Sequence, residues 1–231
     1  MVWRIGRNIF SVQSACWFSR LVIFTAVWLG VASGQTSTVA HVHDCHPCLI
    51  APGGQAPRYA VTFVMSHSRD GRFVSALDVI NVATRSVQRL PVTGMEPLDD
   101  EEDFVFGARD VNFDGFLDME LVLRSGGANA SVMYWLFNPG SGSYDELGVY
   151  PEFQVDSSTR RLKTYERGGF GGFQYHASEY AFVGGKLTLV REERQDPYGE
   201  RGEFRKVIRE RQNGTMTIVT RTTLKPPPQQ P

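Results

Sequence analysis

Asp110-Val111-Asn112-Phe113-Asp114-Gly115-Phe116-Leu117-Asp118 is a short acidic stretch near the middle of the chain. Its oxygen-bearing side chains fall at positions 1, 3, 5 and 9, with glycine at position 6. Ca²⁺ takes six to eight oxygen ligands, and this spacing wraps a loop around one ion, with a backbone carbonyl at position 7. Glycine permits the sharp turn because it adopts positive φ without steric cost. The stretch predicts a calcium site with the ligands Asp110, Asn112, Asp114, Phe116 and Asp118.

This loop differs from an EF-hand, because position 12 is Leu121 instead of a bidentate glutamate. Asp118 would then have to supply the bidentate carboxylate. The flanking segments 104–106 and 119–123 are apolar and β-branched, which predicts strands in place of helices. The alternative is an Asp- and Asn-rich β-turn with no ion. Three acids this close repel one another without a cation, which favours the calcium site.

The rest of the chain indicates an all-β protein. Strand-like segments recur about every ten residues from Arg58, with turn residues between them. Segment 131–137 has the aromatic and β-branched composition of a buried strand. Asn213-Gly214 is a strong hairpin turn, and no amphipathic helix is evident after residue 34. We expect antiparallel hairpins in a propeller-like or barrel-like array, forming a single β domain over residues 58–224.

The first 34 residues resemble a signal peptide. A short apolar run at 21–31 is preceded by three basic residues, Arg4, Arg7 and Arg20. Small residues follow the run at 32–34. The alternative is an uncleaved N-terminal anchor. The remaining chain has 21 basic and 25 acidic residues, a net charge of −4, which gives no footprint for nucleic acid or for an anionic membrane. We expect a periplasmic or otherwise exported protein, without membrane insertion of the mature chain.

The two ends of the mature chain have their own composition. Residues 35–57 contain Cys45 and Cys48 in a Cys-His-Pro-Cys motif, with three histidines at 41, 43 and 46, and are expected to be irregular. In an oxidising compartment a Cys45–Cys48 disulfide is the first interpretation. A zinc or copper site is the second, and a redox-active motif is the third. Residues 225–231 are a proline-rich tail that we expect to be disordered.

No motif in the chain indicates catalysis. Gly-x-Ser-x-Gly, His-Glu-x-x-His and P-loop patterns are absent from the sequence. The glycine-rich segment 168–173 is followed by neither Lys-Ser/Thr nor a helix, so it does not predict a phosphate-binding loop. We therefore expect that the protein is not an enzyme. A metal or redox enzyme that uses the cluster at 41–48 is the alternative.

Four segments in this order resemble a known family. They are the loop 110–118 with its following strand, Tyr134-Trp-Leu-Phe-Asn-Pro139, segment 169–180, and Gly185-Lys-Leu-Thr-Leu189. Together they resemble the calcium-binding, propeller-like periplasmic immunity proteins associated with bacterial-killing type IV secretion. The resemblance covers residues 104–193. It implies that this chain binds and inhibits a lysozyme-like peptidoglycan hydrolase.

Lysozyme inhibitors of related architecture block the hydrolase active site with a Ser-Gly-x-x-Tyr loop. Gly171-Gly-Phe-Gln-Tyr175 is similar to that loop, with glycine in the serine place. The resemblance implies that Tyr175 enters the hydrolase, that Gly172 forms the turn, and that His176 is a neighbouring contact. The alternative is that Tyr175 simply begins a strand and packs on Tyr180 or Phe182. A calcium-dependent binding module with another partner is the other function that the sequence leaves open.

Overall fold

The computed structural model describes residues 38–41, 47–98, 105–124, 129–200 and 202–225. The predicted signal peptide, the proline-rich end of the tail and Cys45 lie outside these residues. Among the described residues, none belongs to a helix long and apolar enough to cross a membrane.

The described chain is all-β, as the sequence predicts. Apart from a single 3₁₀ turn at Phe170–Gly172, its regular structure consists of strands. The strands are β1 Thr38–His41, β2 Cys48–Ile50, β3 Tyr59–Ser68, β4 Gly71–Asn81, β5 Val87–Pro91, β6 Val105–Arg109, β7 Asp118–Arg124, β8 Ser131–Asn138, β9 Ser143–Pro151, β10 Gln154–Asp156, β11 Arg161–Arg167, β12 Tyr175–Val183, β13 Lys186–Tyr198, β14 Glu203–Gln212 and β15 Thr215–Leu224.

The strands form three antiparallel sheets that follow the order of the chain. A four-stranded sheet has the order β2-β3-β4-β5, and a six-stranded sheet runs from β10 to β15. Between them in sequence, β6 to β9 form a sheet to which β1 adds a fifth strand beside β6. Short turns suffice for these connections because antiparallel neighbours need only a hairpin. Asn213 and Gly214 both have positive φ, as the predicted tight hairpin turn requires.

The five-stranded sheet is buried on both faces. Side chains alternate between the two faces of a strand, and the odd-numbered residues of β8, such as Met133 and Trp135, pack in one core with the four-stranded sheet. Its even-numbered residues, such as Val132 and Tyr134, pack in a second core with Leu162 of the six-stranded sheet. The continuous apolar composition of 131–137 follows from this two-sided burial.

The barrel-like alternative does not describe this structure. Within the described residues none of the three sheets closes on itself, because each has two end strands that are not hydrogen-bonded to each other. In a barrel, the two end strands of the sheet would be hydrogen-bonded to each other. The predicted domain 58–224 spans parts of all three sheets.

The segment expected to be irregular, 35–57, contributes β1 and β2. In β2, Cys48 and Ile50 are buried while Leu49 is 67% exposed, which is the alternation of an edge strand. A three-residue strand gives too short a pattern to be recognised in the sequence. Cys48 is disulfide-bonded. Its predicted pairing with Cys45, and the alternative metal site with the nearby histidines, stay predictions.

Candidate functional site

The acidic loop, residues 110–118, joins β6 to β7 and is organised by its own side chains. The Asp110 carboxylate accepts the backbone N–H groups of Asp114 and Gly115 at 3.1 and 2.9 Å. Asn112 Oδ1 accepts the N–H of Asp114 at 3.0 Å, and Asp114 Oδ1 accepts that of Phe116 at 2.9 Å. Gly115 has φ +90°, and a Cβ there would meet no atom within 4 Å. Glycine is therefore needed for the backbone conformation and not for space.

Asp118 ties the acidic loop to the neighbouring strand. It is 1% exposed, and its Oδ2 accepts the N–H groups of Val111 and Asn112 at 2.9 and 3.2 Å. Its Oδ1 accepts the N–H of Phe137 in β8 at 2.8 Å. Burial raises the pKa of Asp118 to about 7, although the three N–H donors act in the opposite direction. A cation close to this carboxylate would favour its charged form.

The acidic loop contributes side chains to both cores. Phe116 packs against Phe137 in the first core, with ring centroids 5.5 Å apart. Its predicted calcium ligand is the backbone carbonyl, which leaves the ring available for this packing. Phe113 packs against the second core, and Arg160 donates to its carbonyl at 2.8 Å from the β10–β11 turn. Leu117 N–H donates to the carbonyl of Pro52 at 2.7 Å. The loop therefore connects parts of the chain that belong to all three sheets.

The donor chemistry of the acidic loop suits calcium, because every predicted ligand atom is an oxygen. In the described residues no three His, Cys, Asp or Glu side chains converge as a metal-holding group. Each carboxylate oxygen of Asp110 and Asp118 instead faces at least one backbone N–H. An oxygen in this setting keeps a lone pair, so a cation would share these atoms with the backbone donors. Calcium binding stays a prediction.

A buried ion pair beside the acidic loop was not predicted from the sequence. Arg109 at the end of β6 pairs with Glu120 of β7 at 2.7 Å, and their side chains are 17% and 10% exposed. Burial raises the pKa of Glu120, while Arg109 lowers it. Tyr134 extends this network, because its hydroxyl accepts from Arg109 Nη2 at 3.5 Å and from the N–H of Phe153 at 3.0 Å. The signal available in the sequence was a charged residue inside a segment otherwise typical of a buried strand.

The partner loop, residues 168–174, joins β11 to β12 and is closed by its own backbone. Gly168 N–H donates to the Gln174 carbonyl at 2.8 Å, and Gly172 N–H donates to the Gly169 carbonyl at 3.1 Å. The buried side chain of Gln195 donates to the Phe173 carbonyl at 2.6 Å. Gly172 has φ +89°, and a Cβ at this position would lie 3.1 Å from Arg167 Nε. The positive φ of Gly172 is compatible with the turn role that the resemblance implies for it.

Tyr175 is the first residue of β12 and lies against the sheet. Its ring stacks on Tyr165, with centroids 5.4 Å apart and planes at 26°. Its hydroxyl donates to Glu193 at 2.6 Å, and Lys206 pairs with the same carboxylate at 2.6 Å. Burial is the largest contribution that raises the pKa of Tyr175. Tyr175 therefore begins a strand, as the alternative interpretation supposed, but its ring contact is with Tyr165.

His176 lies on the other face of β12, between two carboxylates. Its Nδ1 is 3.3 Å from Glu166, and its Nε2 is 3.0 Å from Glu192. A shallow polar groove of about 280 Å³ runs along this side of the partner loop. The charged and amide side chains that line it include Asn129, Glu166, Arg167, His176, Arg194 and Asp196. Gly172, Tyr175 and His176 thus lie at one end of the six-stranded sheet, with the side chains of Tyr175 and His176 on opposite faces.

Phe170 is a candidate contact residue that the sequence did not single out. It lies at the tip of the partner loop and is 67% exposed. Its ring meets the edge of the Phe204 ring at a centroid distance of 5.2 Å. The available signal was an aromatic residue flanked by two pairs of glycines.

Comparison with known proteins gives one structural match. No protein-family model and no curated protein matches the chain. The chain is similar to a solved structure described as that of a Xanthomonas type IV secretion system related protein, with a TM-score of 0.51 and 16% identity. The match covers 80% of this chain and 100% of that chain. Identity this low shows the fold alone, so the chain shares the fold of a type IV secretion system related protein.

Proposed function

We propose that this protein is an exported, calcium-binding inhibitor of a peptidoglycan hydrolase, of the immunity type. The observation that carries the proposal is the partner loop, which is closed by its own hydrogen bonds and presents an exposed aromatic side chain. A preformed loop loses little conformational entropy when it binds, which suits a protein that blocks an enzyme cleft. The fold shared with a secretion-system-related protein agrees with this role.

The proposed contact surface includes Gly172, Tyr175 and His176. Gly172 allows the turn, and Tyr175 supplies a rigid amphipathic ring of the kind that is enriched in binding hot spots. His176 and the groove beside it supply polar contacts. In this proposal the protein acts by binding, without a catalytic step of its own. The slightly acidic chain offers nothing that would attract nucleic acid.

The proposed calcium ion would bind Asp110, Asn112, Asp114, the Phe116 carbonyl and Asp118. Its role would be structural, because the acidic loop contacts parts of all three sheets. A site with Kd on the order of 10⁻⁴ M would be filled outside the cytoplasm. We also propose that the three successive sheets correspond to the blades of a propeller-like arrangement, since the middle sheet packs on both of its neighbours.

Inhibition is tested with the exported form of the protein, purified from its source organism. The assay follows clearance of a peptidoglycan suspension by a panel of lysozyme-like hydrolases, including any encoded beside the gene for this chain. We expect stoichiometric inhibition of at least one hydrolase. If every hydrolase clears the suspension at its uninhibited rate, the proposed function is wrong.

Calcium binding is tested separately by calorimetry and by thermal melting. We expect heat on titration, and an increase in unfolding free energy of about 2.7 kcal/mol at a calcium concentration of 100 times Kd. Both signals should disappear when Asp110 and Asp114 are replaced together by alanine. The matched control is Asp145→Ala, which removes an exposed carboxylate from β9. Equal calcium responses in both variants would contradict the predicted site.

A further inference from the structure

Phe170 combines an exposed ring with an unfavourable backbone. Its φ is 57°, in the left-handed region, and its side chain is 67% exposed. This conformation is costly for any residue with a Cβ, and glycine occupies the next two positions, which also have positive φ. Because the ring is largely exposed, its burial offsets little of the free-energy cost of this backbone conformation. Backbone strain of this kind is often found where a residue contacts a ligand.

The partner loop holds Phe170 in a fixed position. Phe173 N–H donates to the Phe170 carbonyl at 3.2 Å, and Gln174 N–H donates to the Gly169 carbonyl at 3.3 Å. Below the loop, Phe173 packs edge-on against the buried ring of Phe204, with centroids 4.6 Å apart. Phe173 thus covers part of Phe204 independently of the Phe170 ring. A ring on such a support reaches a partner with little further ordering.

Tyr175 is less free to enter a partner. Its ring is stacked on Tyr165, and its hydroxyl is engaged by Glu193, which also pairs with Lys206. Moving Tyr175 out of the sheet would break these contacts. Phe170 needs to give up only its edge contact with Phe204.

Arg167 brings a positive charge to the partner loop, in a groove that is also lined by Arg194, Glu166 and Asp196. Arg167 is exposed, and its guanidinium lies against the Gly172 backbone. Within the described chain, no carboxylate lies within ion-pair distance of Arg167. Glycoside hydrolases typically have two carboxylates flanking the bond that they cleave. A loop that carries an exposed aromatic ring and a guanidinium without an ion pair therefore offers such a cleft an apolar contact and a cation.

We propose that Phe170 is the anchor that enters the sugar-binding cleft of the inhibited hydrolase, with Arg167 facing its catalytic carboxylates. Tyr175 then supports the anchor from the sheet. This inference rests on the proposed function, because the occupant of the surface is the cleft of a peptidoglycan hydrolase. It names a residue outside the segment 171–175 as the main contact.

The test compares Phe170→Gly with the wild-type protein in the peptidoglycan-clearance assay. Glycine adopts the left-handed backbone freely, and this relief of strain offsets the lost Phe204 contact and the higher entropy of the unfolded chain, so the variant should melt close to wild type. We expect its inhibition constant to rise about 30-fold or more, the size of a hot-spot loss. Phe170→Trp keeps an aromatic anchor and should inhibit within about fivefold of wild type. Arg167→Ala should weaken inhibition about tenfold, and less so at high salt.

The control is Leu49→Ala, which removes an equally exposed apolar side chain from another sheet and should inhibit like wild type. If wild type inhibits a hydrolase and Phe170→Gly inhibits it equally, this inference is wrong while the proposed function stands. A greater loss in Tyr175→Ala than in Phe170→Gly would also overturn it, since Tyr175 would then be the main anchor. If wild type inhibits none of the hydrolases, the proposed function itself fails.

Discussion

Asp118→Ala should destabilise the protein severely, with or without calcium. The substitution removes the acceptor of three backbone N–H groups, and the bonds from Val111 and Phe137 are fully buried. Each buried N–H that loses its acceptor costs about 1–3 kcal/mol, so the two imply a loss of roughly 2–6 kcal/mol. Removing a carboxylate whose pKa is raised to about 7 also relieves the cost of burying its charge. We therefore expect a net loss of roughly 2–4 kcal/mol.

The measurement is urea unfolding at pH 8 in the presence of a chelator, so that bound calcium does not contribute. A loss of this size is a large share of the roughly 5–15 kcal/mol that stabilises a typical domain. Asp118→Asn keeps one acceptor oxygen and should lie between wild type and alanine. Asp145→Ala, at an exposed site, should stay within about 0.5 kcal/mol of wild type. If Asp118→Ala also stays within that margin, Asp118 does not hold the loop through the backbone.

Three further predictions concern other parts of the fold. Glu120→Ala should lower the free energy of unfolding, measured in urea, by about 3–5 kcal/mol, because it leaves the largely buried Arg109 without its partner. Replacing both residues by apolar residues of similar volume should lower it by less. Gly115→Ala should cost about 1–2 kcal/mol in the same assay, through its left-handed backbone alone; an unchanged midpoint would refute this. The pKa of Asp156 is lowered by its hydrogen bond to Lys163, so its stabilising effect should be present above about pH 4 and lost as pH falls below that. Lys163→Ala should raise the Asp156 midpoint in an NMR titration, and a midpoint that does not move would contradict the pairing.

The strand pattern could be predicted from the sequence because it depends on local alternation. Segment 131–137 has the composition of a buried strand, and β8 is buried on both faces. Asn213-Gly214 predicts a hairpin, and β14 and β15 are joined there. Pairing between distant segments has no such local signal, so the contribution of Thr38–His41 and Cys48–Ile50 to two sheets was missed.

In the candidate site too, features with a local signal could be predicted, and features that depend on distant residues could not. Gly115 could be assigned to a sharp turn because only glycine tolerates its φ at no cost. The role of Asp118 as acceptor for β8 depends on a residue 19 positions away, and spacing within the loop does not reveal it. Phe170 was missed for a different reason. Positive φ at a phenylalanine goes against local preference, so a pattern-based prediction does not anticipate it.

The order of the sheets along the chain has a consequence for how the protein reaches its folded state. Apart from β1, the strands pair with their sequence neighbours, so each hairpin can form soon after its segment emerges. The four-stranded sheet, however, exposes its apolar face until β7 and β8 arrive to cover it. During that interval the N-terminal half of the chain exposes apolar surface and is prone to aggregate.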